Sequence, residues 1–305
     1  MQNAILLLQK VLPVFLVLML GVLCRKKAIV SREGINALKT VAVNIALPAV
    51  MVNAFAAAEY SVKSVLVPSA IFLLCISALL LGFLACRIFR IGGRLSPYLS
   101  AGFEAGMLGY ALFVILFPDE PASSFAIIDL GQVLFVFTVY KILLSGKKGG
   151  MGALKEAVMS PVVWGIVTGL LLGATGVYDA LKPAGISKVL DAVTDFVSAP
   201  TSVLILLGIG YDLNPAQMQW KKVSALIMLR LAVCALLLGA AFLIDRFILG
   251  DIIHKGALIL MFVLPPPYVL PVFADVESER ADISSALSAL TLVSLALFAG
   301  LAVLL

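Results

Sequence analysis

Ten apolar runs, each about the 20 residues that one helix needs to cross roughly 30 Å of hydrocarbon, take up nearly the whole chain. They lie at 4–24, 35–57, 64–86, 97–117, 122–144, 156–177, 189–210, 223–245, 256–274 and 282–304, with the charged residues collected in the gaps. A chain built this way does not fold as a water-soluble domain. Of its 305 residues 62% are apolar and 13% charged, where a soluble domain carries about 25% charged side chains. No gap exceeds about 15 residues, which leaves no room for a large soluble enzyme domain. A transmembrane barrel needs segments of about 10 residues with alternating polarity, whereas these are continuous stretches of Leu, Val and Ala. The expected fold class is all-α integral membrane, with ten transmembrane helices.

The first run is expected to be a true span and not a cleaved leader. Its basic cluster, Arg25, Lys26 and Lys27, follows the run, and no small-residue cleavage pattern ends it. Lys and Arg in short loops favour the cytoplasmic side. Gaps after odd-numbered runs hold fifteen of the 22 basic residues and the other gaps hold six, with Arg230, well inside run eight, left out of the count. Both termini are therefore expected outside. The net charge of +5 does not indicate nucleic acid, because the basic residues lack the interleaved aromatics of a stacking platform. Cys24, Cys75, Cys86 and Cys234 lie in or at the edges of apolar runs without metal or redox spacing and read as packing residues. His254 is the one histidine, so neither a catalytic triad nor a histidine metal cluster can be assembled. No enzyme activity and no cofactor are expected.

The chain repeats itself. Gly106, Met107, Leu108, Gly109 and Tyr110 in run four align with Leu264, Pro265, Pro266, Pro267 and Tyr268 in run nine, a spacing of 158 residues. Pro48 in run two answers Pro200 in run seven, and Pro13 in run one answers Pro161 in run six. Two halves, 1–150 and 151–305, would each contain five runs. Five is odd, so the second half enters the membrane inverted.

Three consecutive prolines remove backbone donors and clash with the preceding turn, so run nine is expected to break near its middle. Run four, with Gly102, Gly106 and Gly109 around Glu104, is expected to break at the matching depth. Freed carbonyls at that depth need protein, water or an ion. If the two breaks cross, half-helix ends converge. N-terminal ends near Met107 and Tyr268 suit a carboxylate, and carbonyls ending at Glu104 and Leu264 suit a cation such as Na⁺. A carboxylate within a span costs roughly 2.5–3.5 kcal/mol. Glu104 is therefore expected to titrate or to hold a cation, the alternative being a side chain that snorkels to the interface. Asp129 and Gln132 share one face of run five and either complete a polar site or lie near the outer interface. Asn44 and Asn53 flank Pro48, and Ser198 and Thr201 flank Pro200; these side chains either reach a substrate or satisfy carbonyls that proline frees. Asp275 is the member of an acidic cluster after run nine that lies closest to the site. Gly165, Gly169 and Gly173 line one face of run six and allow close helix approach, within the protomer or against a second one.

These motifs resemble a known family. Asn44 to Pro48, Gly106 to Tyr110, Pro265 to Tyr268 followed by Phe273 to Asp275, and the Ser/Thr-rich stretch Ser284 to Ser294 are together similar to the bacterial branch of the auxin efflux carrier family, over essentially the whole chain. The resemblance implies a fold similar to the bile acid:sodium symporters, with two broken helices crossing between a panel and a moving region. It also implies a place in the bacterial inner membrane, transport of small organic anions and often a homodimer. Family members commonly have Asn where Glu104 to Gly106 stand here, so the coupling ion, H⁺ or Na⁺, stays open. The expected function is a secondary transporter that moves a small organic anion by alternating access. Glu104, Asp129, Gln132 and Asp275 would serve the coupling ion; Asn44, Asn53, Gly106, Gly109, Tyr110, Ser198, Thr201, Pro266, Pro267 and Tyr268 would shape the substrate site. A membrane ligand sensor of the same fold, without net transport, is the alternative, and a flux assay separates the two. A channel is disfavoured because no ring of charges or repeated filter sequence is visible.

Overall fold

Backbone amides in hydrocarbon have no water to bond, so an apolar run must close its own hydrogen bonds. In the computed structural model of the chain, helix meets all ten runs. The structure describes residues 2–58, 62–145, 159–212, 220–270 and 280–304, and among these there is no strand. The helices are α1 (Gln2–Lys26), α2 (Arg32–Ala56), α3 (Val62–Ile88), α4 (Tyr110–Leu116), α5 (Ser123–Leu144), α6 (Pro161–Ala174), α7 (Ile186–Asp212), α8 (Trp220–Ile244), α9 (Lys255–Val263) and α10 (Arg280–Leu304). Among the described residues six helices are long and apolar enough to cross a membrane: Arg32–Ala56, Val65–Ile88, Ser123–Leu144, Ile186–Asp212, Val223–Leu249 and Ser285–Val303. Large apolar side chains cover the outer surface, Phe196 of α7 being 85% exposed. An exposed apolar surface of this kind marks contact with lipid or with another protein.

Local signals explain where several helices begin. The Ser31 hydroxyl accepts the Gly34 N–H at 3.0 Å and caps α2. Pro161 opens α6 at a position where its missing N–H is an orphan anyway. Nδ1 of His254 accepts the Ala257 N–H at 3.0 Å and caps α9. Mid-helix prolines leave their mark too: α7 is interrupted at Ala199 and Pro200, and α2 carries a wide turn at Ala42–Ala46 just before Pro48.

The helices pack as two units. In the first, α1 lies along the second half of α7, α6 lies along the second half of α2, and α2 and α7 also touch. Glycines permit these approaches. A Cβ on Gly210 would stand 2.1 Å from the Leu18 carbonyl oxygen, and one on Gly165 2.6 Å from that of Pro48. Gly165 and Gly169 are therefore used inside the protomer, against α2. In the second unit α3 packs on α5 and on α8, and α8 packs on α9 and α10. The four cysteines are buried and free of disulfides. The units meet where α2 contacts α5, and where the chain just ahead of α4 contacts α7.

Candidate functional site

Both runs expected to break do so. In run four a 3-10 turn, Ser96–Ser100, gives way to non-helical backbone at 101–104, and helical turns resume at Ala105–Gly109 ahead of α4. In run nine α9 ends at Val263, Leu264 is extended with ψ 151°, and residues 265–267 are not helical. Proline forces this: it disfavours helical backbone at the residue before it and donates nothing itself.

The two interruptions bond to each other. The Glu104 N–H donates to the Pro265 carbonyl at 2.8 Å, and the Tyr268 N–H donates to Oε2 of Glu104 at 2.5 Å. Gly102 has a left-handed φ of 69°, and a Cβ there would stand 2.8 Å from Cγ of Pro267. Only glycine satisfies both the conformation and the approach. Phe103 and Phe262 meet edge to face at 5.0 Å between ring centres, one from each side of the crossing. Glu104 is buried, so its side chain stays in the crossing and does not snorkel to the interface.

Arg230 of α8 completes the junction. It is buried, and its guanidinium donates to the carbonyls of Leu99 at 2.8 Å, Gly102 at 2.9 Å and Leu264 at 2.8 Å. It also stands over the Phe103 ring at 5.4 Å. Tyr140 of α5 donates to the Tyr98 carbonyl at 3.1 Å and holds the first half of run four from the other side. Sequence reasoning passed over Arg230, although the rule that marked Glu104, a charge in the middle of an apolar run, applies to it equally.

A second polar cluster lies on α5. Asp129 and Gln132 are buried on one face, and Nε2 of Gln132 donates to Oδ1 of Asp129 at 3.2 Å. The hydroxyl of buried Tyr110 lies beside the Asp129 carboxylate. The Tyr110 hydroxyl is the hydrogen-bond donor that faces this carboxylate, whereas Oε1 of Gln132 has no hydrogen-bond partner, an unusual state for a buried oxygen. The Tyr110 ring meets Phe125 edge to face at 5.0 Å.

Other residues singled out by sequence fall differently. Half-buried Gly106 faces Leu47 of α2 across the boundary between the two units, its ideal Cβ 3.4 Å from Cδ2 of Leu47. Gly109 gives room to the Phe125 ring and to Leu264. Pro266 and Pro267 are buried in the crossing, and the Tyr268 hydroxyl bonds that of Thr291 of α10 at 2.8 Å. Ser198 and Thr201 turn to local backbone: Oγ of Ser198 donates to the Asp195 carbonyl at 3.2 Å and Oγ1 of Thr201 to the Ser198 carbonyl at 2.5 Å. Asn53 donates to Oδ1 of Asp195 at 2.9 Å and ties α2 to α7. Asn44 is exposed within the wide turn of α2. Asp275 lies outside the described residues.

The fit of a sodium ion near Glu104 and Leu264 can be judged from the donor set. The Leu264 carbonyl takes Arg230, and a carboxylate oxygen of Glu104 takes the Tyr268 N–H. Among the described residues no group of three or more His, Cys, Asp or Glu comes together. A guanidinium thus stands where the metal cation was expected. At the boundary between the two units, an apolar cavity of about 630 Å³ is lined by Phe55 of α2, Pro68 and Phe72 of α3, Leu130 and Leu134 of α5 and Leu170 of α6.

Residues 6–150 match the family described as membrane transport protein. The chain is also 27% identical, over 68% of its own length and 68% of the other's, to an uncharacterized transporter of Methanothermobacter thermautotrophicus. Both similarities, with the apolar helices, support an integral membrane transporter.

Proposed function

We propose that the protein belongs to the auxin efflux carrier family, a reading that the match over residues 6–150 and the similarity to the Methanothermobacter thermautotrophicus transporter support, and that it is a secondary active transporter of a small organic anion. It works by alternating access, with the unit of the crossed interruptions shifting as a body against the unit of α1, α2, α6 and α7. The observation that carries this reading is the mutual bonding of Glu104, Pro265 and Tyr268. Irregular backbone within apolar segments is tolerated where it is buried in protein or lines a cavity, and here it bonds to a second irregular segment.

Reciprocal packing favours a five-plus-five inverted repeat with ten spans. The first run of each half pairs with the second run of the other, α1 with α7 and α6 with α2. The distribution of basic residues favours both termini outside. The substrate lies at the boundary between the units, near Gly106 and Leu47, with its apolar part toward the cavity that Phe55 and Leu130 line. The coupling cation, H⁺ or Na⁺, belongs at Asp129, Gln132 and Tyr110, where a buried carboxylate meets an amide and a hydroxyl. Glu104 serves the crossing itself. The protein works in the bacterial inner membrane as a homodimer.

The test is uptake of labelled mono- and dicarboxylates into proteoliposomes under imposed H⁺ or Na⁺ gradients. Accumulation that collapses with the gradient supports the proposal. Ligand-dependent thermal stabilisation without any flux would favour the sensor reading instead.

A further inference from the structure

We propose that Arg230 is a positioning residue and a tethered cation: it fastens both chain interruptions to α8, so that the three shift together, and supplies at Gly102 and Leu264 the positive charge that a bound metal ion would otherwise bring. The proposal rests on the transport reading for the shared shift and for its flux measurement, but not for the anchoring of both interruptions by Arg230.

The geometry supports it step by step. Leu99 and Gly102 belong to the first half of run four, Leu264 to the first half of run nine, and Arg230 to neither. One planar fork of five donors reaches all three carbonyls at 2.8–2.9 Å. Those carbonyls lie where backbone dipoles turn their partial negative charge inward, the place for a cation. A lysine has the charge without the fork and is too compact to span three carbonyls at once. Glu104 mirrors the arrangement: its carboxylate takes the Tyr268 N–H, a place suited to an external anion. The crossing therefore contains its own cation and its own anion, and neither has to be recruited during a transport cycle. With Arg230 bonding both interruptions to α8, sliding one past the other would break charge-assisted bonds, and carrying all three together breaks none.

The experiment uses the purified full chain as wild type, Arg230→Lys and Arg230→Ala. Each is assayed for carboxylate uptake in liposomes and for thermal unfolding, with about 10 mM guanidinium chloride, NaCl or KCl added. Uptake by Arg230→Ala is expected to fall about tenfold or more, the loss of at least one charge-assisted bond, with Arg230→Lys in between. Guanidinium, but neither Na⁺ nor K⁺, is expected to recover uptake and raise the unfolding temperature of Arg230→Ala while leaving wild type unchanged. Arg230→Ala uptake within about twofold of wild type would overturn the proposal. So would losses in uptake and unfolding temperature that guanidinium does not reverse. Wild-type liposomes that move no carboxylate would defeat the transport reading instead, and the thermal measurements would still judge Arg230.

Discussion

Oε2 of Glu104 lies 2.5 Å from the backbone nitrogen of Tyr268, a residue 164 positions further along the chain. One side chain thus satisfies an amide that the neighbouring prolines leave without a helical partner, and it does so across the crossing. A hydrogen bond to a charged group contributes about 1.5–3 kcal/mol. Glu104→Gln keeps an acceptor oxygen and loses the charge, whereas Glu104→Ala leaves the amide unpaired. Glu104→Ala is expected to unfold at a lower temperature than Glu104→Gln, and both to lose about tenfold or more in uptake. Thermal unfolding of the two purified variants checks the order.

Pro266→Ala is expected to weaken transport without preventing folding, because Pro265 and Pro267 still keep that backbone out of a helix. Uptake in liposomes alongside size-exclusion profiles separates the two effects.

Asp129→Asn should separate stability from function. The amide keeps an oxygen for Nε2 of Gln132 and offers a donor to Oε1 of Gln132, which has no partner, so the unfolding temperature should hold or rise. The variant has no carboxylate to neutralise and release a cation, so uptake should no longer respond to an H⁺ or Na⁺ gradient. Measuring uptake against each gradient, for wild type and variant, checks this.

Leu47 and Gly106 belong to different units and approach within van der Waals contact. Cysteines at both positions, in a background without the four native cysteines, are expected to stop transport once joined by a short bifunctional thiol reagent. Each single cysteine treated in the same way should lose less uptake than the joined pair. Transport by the joined protein would mean that the two units do not shift against each other.

Gly169 stands against α2, where a Cβ would lie 2.7 Å from Cβ of Phe55 and 2.8 Å from the Val52 carbonyl oxygen. Gly169→Val overfills that contact and should destabilise the protein by about 1–3 kcal/mol. Gly239, with open space around its Cβ position, is the matched control on α8. Thermal unfolding of both valine variants measures the difference.

Much of this was legible in the sequence, because hydrocarbon leaves a chain few choices. Run lengths fixed the helices, and Pro265 to Pro267 marked the break in run nine. Gly102, Gly106 and Gly109 around Glu104 marked the other break, whereas the left-handed backbone at Gly102 became visible only in the structure. Arg230 was legible by the rule that marked Glu104, yet its partners were not. It bonds backbone carbonyls, which carry no residue identity, and a count of basic loop residues has no use for a charge within a helix. Ser198 and Thr201 stayed ambiguous between ligand and backbone because hydroxyls serve either. The glycines of run six left two packing partners open until α2 was seen against Gly165 and Gly169. Spacing alone brought Asp129 and Gln132 together, whereas Tyr110 joined them only through the resumption of helix after the break.

Water access to Gly106→Cys tests most directly whether the crossing borders a solute path. With a membrane-impermeant, hydrophilic thiol reagent applied to reconstituted protein lacking native cysteines, Gly106→Cys should react and a transported carboxylate should slow the reaction. Leu112→Cys, fully buried in α4, should stay inert. A Gly106→Cys as unreactive as Leu112→Cys from both sides of the membrane would contradict a hydrated path at the crossing.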